Sequence, residues 1–279
     1  MKYLEKSGYE ISFIPVSSSG IPDLEQLKHE IRQDTALITL THVNNETGAI
    51  MPMSEISIIR NSMNAKTKIH LDCVQSLGKI PILLNDWGID FASFSGHKIH
   101  CVKGIGMLYV RSGNRVFPLL IGGGQQRGIR SGTESPYLAA SMSLAIDKAY
   151  EEMEVSYDRA QMCKQILLDK LVSLHATIHS PEDSCPYIVN FSLGSIEPET
   201  LLHAMEQEDI YISTISACAS KTKKISHVLL AMGVNRSIAK GAVRLSLSRF
   251  TTEEELLLTC DALERIYNKY GLDGEHHGK

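Results

Sequence analysis

Short apolar runs rich in β-branched residues alternate, along the first part of the chain, with segments whose apolar positions recur at helical spacing. Ala36 to Val43 and Lys68 to Cys73 read as strands, and Met53 to Ala65 between them reads as a helix. Asp90 to Phe94 and Gly104 to Val110 read as two more strands, the second opened by glycine. This alternation predicts an α/β fold with a mostly parallel central sheet. A long helical pattern follows from about Tyr137 to His175, broken once. The remainder reads as a smaller α+β unit. Its predicted strands are Tyr187 to Leu193, Ile210 to Ser213 and Val243 to Leu247. Its predicted helices are Pro198 to Gln207, Ser226 to Met232, Arg236 to Lys240 and Thr252 to Tyr267. Pro198 suits a first helical turn, and the acidic residues after Thr252 suit a helix N-terminus. The expected division is a large domain over 1–150 and a small C-terminal domain over 151–279.

Polar residues after the predicted strands turn the picture from fold to chemistry. Asn44 and Asn45 follow the first strand, Asp72 and Gln75 the second, and Ser95 to Lys98 the third. Ligands of open α/β sheets bind beyond the carboxyl ends of the strands, so three polar clusters are expected on one rim. Ser93-Phe94-Ser95-Gly96-His97-Lys98 ends a strand in small residues and then presents a lysine. An amine that attacks an aldehyde must be neutral, and desolvation at the end of a buried strand favours that form. Such a lysine can hold pyridoxal 5'-phosphate (PLP). Asp72 can pair with a protonated pyridine nitrogen, although an aspartate after a strand is more often a cap. Gln75, three residues on, is placed to donate to a phenolic oxygen. The paired Asn44 and Asn45 either bind ligand oxygen or simply make a turn. Cys218 lies in a stretch without apolar periodicity, Ser213 to Ser226, among serine, threonine and lysine. Exposure and nearby cations there favour a reactive thiolate over a buried structural thiol.

Composition narrows the class further. With 43% hydrophobic and 22% charged residues and a formal net charge of −4, the chain has ordinary globular composition and no electrostatic footprint for nucleic acid. Its apolar runs are too short to span a bilayer, and its first residues carry no signal peptide. Six cysteines without a C-x-x-C pair point to reduced thiols. A cytoplasmic protein is expected. A metal set from His97, His100 and Cys101, or from His276 and His277, lacks the three or four convergent ligands such a site needs, so no metal is expected.

Taken in order, HVNNETG, HLDCVQSLGK, SFSGHKIH, GGGQQRGIRSGT, SACAS and RLSLSRFTTEEE resemble the cysteine desulfurases of the NifS/IscS type. These form part of the class V aminotransferase branch of fold-type I PLP enzymes. The resemblance runs from about Leu4 to about Tyr267. It implies that Lys98 holds the cofactor covalently, Asp72 pairs with its pyridine nitrogen, and Gln75 bonds its phenolic oxygen. Asn45 would face cofactor and substrate, Ser95 and His97 the phosphate. Thr133 would reach the phosphate held by the second subunit of a homodimer. Arg249 would clamp the substrate carboxylate, a task suited to a guanidinium fork. Cys218 would accept sulfur as a persulfide. The implied reaction converts L-cysteine to L-alanine and passes sulfur to an acceptor protein, in iron–sulfur cluster or tRNA-thiolation pathways. Family members also carry a preceding segment with a phosphate-cradling glycine loop and a ring-stacking histidine, and this chain is expected to lack it. Cys101-Val102 stands where the family more often has Gly-Pro. The alternatives are another class V PLP enzyme such as a selenocysteine lyase, or a catalytically impaired homologue acting as a scaffold.

Overall fold

The computed structural model describes residues 2–194, 196–214 and 225–271. The chain opens with helices α1 (Lys2–Lys6) and α2 (Leu24–Glu30), then runs through β1 (Leu37–Thr41), α3 (Met53–Asn64), β2 (Lys68–Asp72), β3 (Phe91–Ser95) and β4 (Gly106–Val110). These strands form one sheet in the order β1-β2-β3-β4. The first three are parallel, and β4 returns antiparallel to β3. The expected mostly parallel sheet is therefore present with one reversed edge. The cause is the short Gly96–Ile105 connection: a parallel pair needs a longer crossover, usually through a helix. Ile69 and Leu71 on β2 and Ala92 and Phe94 on β3 alternate into one core with Met53 and Ile56 of α3. Each such large aliphatic side chain contributes about 1.5–3 kcal/mol on burial.

Helices α4 (Pro136–Glu151) and α5 (Met153–Ser173) follow, separated at Glu152, so the predicted long helix is broken once. The second unit contains β5 (Thr177–Ile178), β6 (Ile188–Ser192), α6 (Pro198–Glu206), β7 (Ser213–Thr214), α7 (His227–Ala231), α8 (Arg236–Lys240), β8 (Ala242–Ser246) and α9 (Glu253–Tyr270). Its strands form an antiparallel sheet in the order β5-β6-β8-β7. All five residues of β6 are buried, in a core shared with Leu167 and Leu171 of α5, Leu201 and Met205 of α6, and Leu256 and Leu263 of α9.

The strand predicted over Ile210 to Ser213 is shorter and later, pairing only at Ser213 and Thr214. The preceding residues close α6 instead. Asp209 adopts a left-handed backbone (φ 58°), and the Ile210 N–H donates to the Met205 carbonyl at 3.0 Å. That is the bond pattern of a Schellman-type helix end. Helix α2 escaped the apolar pattern because it is short, although Asp23 caps it by accepting from the Gln26 N–H at 2.9 Å.

Candidate active site

Because β1, β2 and β3 are parallel, the segments that follow them emerge on one edge of the sheet. After β1, the Asn44 side-chain oxygen accepts from the Glu46 and Thr47 N–H groups at 2.9 and 3.1 Å. Asn44 thus makes the turn that leaves Asn45 at the site. After β2, the Asp72 carboxylate accepts from the Val74 N–H at 2.9 Å, the capping role weighed for it above. The chain then turns through Gly78, whose φ of +65° suits glycine and whose missing Cβ would lie 2.5 Å from the Ala149 Cβ of α4. After β3, a 3₁₀ turn over Gly96–Ile99 buries Gly96 and Ile99 and ends at His100 in a left-handed conformation. The Cys101 N–H donates to the Gly96 carbonyl at 3.1 Å. Pinned at both ends, the turn presents the half-buried Lys98 to a cavity.

The cavity has a volume of about 200 Å³ and brings together Asn45, Gln75, His97, Lys98 and Arg249. Ser95 joins through a 2.7 Å hydrogen bond between its hydroxyl and His97 Nδ1. Asp72, at the end of β2, is not part of the cavity wall. Thr133 is exposed and lies apart from the wall. Cys218 falls outside the described residues. The flanks of its segment nevertheless meet residues of the site motifs. Ser213 accepts from Arg244 Nη2 at 3.4 Å, and the Ser226 hydroxyl donates to Glu46 Oε2 at 2.5 Å.

Sequence reasoning missed the ionisable wall members Lys79, His100, Tyr187 and Arg244. Arg244 projects from β8, donating from Nη1 to the Asn45 carbonyl at 2.9 Å and from Nε to the Ser246 hydroxyl at 3.1 Å. Among the described residues all its hydrogen-bond acceptors are neutral. Arg249 is committed differently: its Nη1 lies 2.6 Å from Glu152 Oε2 at the α4–α5 break, and among the described residues its buried Nε has no acceptor. In this ion pair 15% of the Arg249 side chain is exposed, against 46% of Glu152. Arg244 carried a signal in the sequence, since it sits in the same RLSLSR block. Lys79 carried one as the last residue of HLDCVQSLGK.

The electrostatics of the cavity are one-sided. Among the described residues its wall includes Lys79, Lys98, Arg244 and Arg249 and no acidic side chain. Burial pushes the Lys79 ammonium below the usual lysine range; the Cys185 thiol opposes this, while the Lys98 and Arg244 cations add to it. Burial also lowers His100, helped by the Arg249 and Lys79 cations, so this imidazole favours the neutral form. Its ring meets Phe250 edge-on at 4.7 Å. Among the described residues, no group of three His, Cys, Asp or Glu side chains is arranged to hold a metal ion.

The residues present fit PLP. Lys98 supplies an amine for the aldehyde, Asn45 and Gln75 supply amide donors, and Arg244 and the buried Arg249 Nε supply positive donors that, among the described residues, lack an anionic partner and any partner respectively.

A parallel three-stranded core with a lysine on a turn beyond its carboxyl edge, closed by an antiparallel α+β unit, is the architecture of a fold-type I PLP-dependent transferase. The family description Aminotransferase class-V matches residues 1–258, and the chain belongs to this family. A solved NifS-like protein superposes with a TM-score of 0.90 at 37% identity, over 96% of this chain and 71% of that one. Among curated relatives, the cysteine desulfurase IscS of Dictyoglomus turgidum is 37% identical over 271 residues, 96% of this chain and 68% of that protein. The mitochondrial cysteine desulfurase of Arthroderma benhamiae is 42% identical over 259 residues, 91% of this chain and 51% of that protein. The chain thus spans about half to two thirds of the length of these relatives.

Proposed function

We propose that this protein is a PLP-dependent cysteine desulfurase. The observation that carries the reading is the convergence of Lys98, Asn45, Gln75, Arg244 and Arg249 on one cavity without acidic side chains. When bound, PLP supplies an electron sink beside the substrate Cα. The Lys98 amine would hold the cofactor and would take the substrate Cα proton. The amide of Gln75 would donate to the phenolic oxygen, and Asp72 would keep the pyridine nitrogen protonated. Ser95 and His97 would receive the phosphate. The substrate carboxylate meets guanidinium; Arg244, free of carboxylate partners, is better placed for it than Arg249, which Glu152 already engages. Asn45 donates to the same substrate.

The Cys218 thiolate then attacks the sulfur of L-cysteine. An S–S bond forms as the substrate Cβ–S bond breaks; Cβ gains a proton and Lys98 returns to Cα the proton it took, giving L-alanine. Cys218 keeps the sulfur as a persulfide for an acceptor protein, and no external oxidant is required. The working unit is a homodimer in which Thr133 completes the partner's phosphate site. Phe117, Leu119, Ile121 and Tyr137 flank that residue in the chain and are 87–94% exposed, an apolar surface that a second copy would cover. Among the described residues no helix is long and apolar enough to cross a membrane, and a cytoplasmic location accords with that.

The test is alanine release and persulfide formation from L-cysteine by the PLP-supplied protein. Lys98→Ala should abolish cofactor retention and activity. Cys218→Ser should retain the cofactor and lose persulfide formation. Full sulfur release by the Cys218→Ser variant would overturn the desulfurase assignment in favour of another class V reaction. A wild-type protein that takes up no PLP would leave only a scaffold role.

A further inference from the structure

We propose that Lys79 is a positioning residue that dictates which end of the Gln75 amide faces the cavity. The two side chains lie four residues apart and share the cavity wall. Lys79 Nζ donates to Gln75 Oε1 at 3.4 Å. An ammonium group has donors and no acceptor, so only the carbonyl end of a carboxamide can face it. The opposite orientation would set NH₂ against NH₃⁺. With Oε1 turned to Lys79, the Nε2 group and its two hydrogens face away, and among the described residues no protein acceptor takes them.

Lys79 is well held for this work. Gly78 before it is locked against Ala149, and Nζ lies 5.6 Å from the centroid of the Tyr187 ring, itself 1% exposed. Among the described residues no carboxylate pairs with Lys79, and the oxygen to which it donates is that of a neutral amide. A half-buried ammonium without a counter-ion is costly to maintain, and burial lowers its proton affinity accordingly. The arrangement is explicable if the charge keeps a neighbouring donor correctly turned. The consequence is chemical: the ligand must present an acceptor oxygen to Gln75, and an anionic oxygen best of all. In the reading proposed above, on which this inference rests, that oxygen is the phenolic oxygen of PLP.

The test is the pH titration of the visible absorbance of PLP bound to the full-length protein, a readout separate from turnover. Wild type is compared with Lys79→Met, Lys79→Arg, Gln75→Leu and the Lys79→Met/Gln75→Leu pair. Lys79→Met should shift the titration midpoint in the same direction as Gln75→Leu. Lys79→Arg, which keeps a donor-only cation, should restore the wild-type midpoint. In the Gln75→Leu background, Lys79→Met should add nothing. Should the methionine variant fail to fold by circular dichroism, Lys79→Gln replaces it, with a partial shift expected because an amide can donate or accept. An unchanged midpoint in the Lys79 variants, or equal shifts with and without Gln75, overturns the positioning role while the cofactor reading stands. No absorbance band in wild type overturns both.

Discussion

His42 opens the HVNNETG block yet serves the fold. It is 3% exposed, meets Trp87 edge-on at 5.1 Å, and is pushed down to about 4 by burial. His179, also buried, is pushed down to about 4 for the same reason. An unfolded histidine titrates near about 6.5. Between these values the unfolded chain binds protons that the folded chain refuses. The stability linked to the neutral rings is therefore complete above about pH 6.5 and is lost as pH falls toward the folded value. The urea midpoint should drop between pH 7 and pH 5, and His42→Phe should flatten that slope. A variant as pH-sensitive as wild type would show that His42 plays no part. At the same scale, Asn44 shows why a motif residue need not touch the ligand: its side-chain oxygen is spent on the turn that aims its neighbour.

Helix α3 is tied to the sheet by a buried ionic cluster. Arg60 reaches from α3 to the Thr67 and Gly88 carbonyls at 2.9 and 3.0 Å and to Asp90 at 3.4 Å. Asp90, just before β3, also accepts from the Ile69 N–H at 3.0 Å, Asn114 at 3.1 Å and Lys68 at 3.1 Å. Burial alone would raise this carboxyl, but these bonds together hold it below the usual carboxylate range. Its contribution is present above the unfolded carboxylate value, about 3.9, and disappears as pH falls below that. Asp90→Asn leaves the Arg60 charge uncompensated and should cost about 3–5 kcal/mol in denaturant unfolding. A loss below about 1 kcal/mol, the range of an exposed pair, would refute the buried-cluster account. At the other end of the chain, Thr252 and Glu255 form a reciprocal capping box on α9. Thr252→Ala should destabilise by about 1 kcal/mol, read as a lower thermal midpoint; an unchanged midpoint would argue that packing alone holds the helix.

Across the whole molecule, the cavity lies where the first sheet's carboxyl edge meets the second unit. Asn45, Gln75 and Lys98 come from one side; Tyr187, Arg244 and Arg249 come from the other. We propose that 1–150 and 151–279 act as the two domains. Val43 and Ile80 of the first join the core of the second, and the Arg249–Glu152 pair holds the joint beside the cavity. Strand and helix types were legible because amphipathic period and strand-end motifs are local properties. The placement of Lys98, Gln75 and Asn45 on one rim was legible because parallel strands put their following loops on the same edge. Tyr187 was not, and Lys79 and Arg244 were marked only by membership of motif blocks, because nothing in neighbouring residues states which surface will pack over them. The residue order by itself determined the elements, the strand-end chemistry and the kinship, since each is written in short-range spacing. Only the tertiary structure decided which cation meets neutral acceptors, which is engaged by Glu152 and which reaches an amide, because those outcomes depend on how distant segments pack around one cavity.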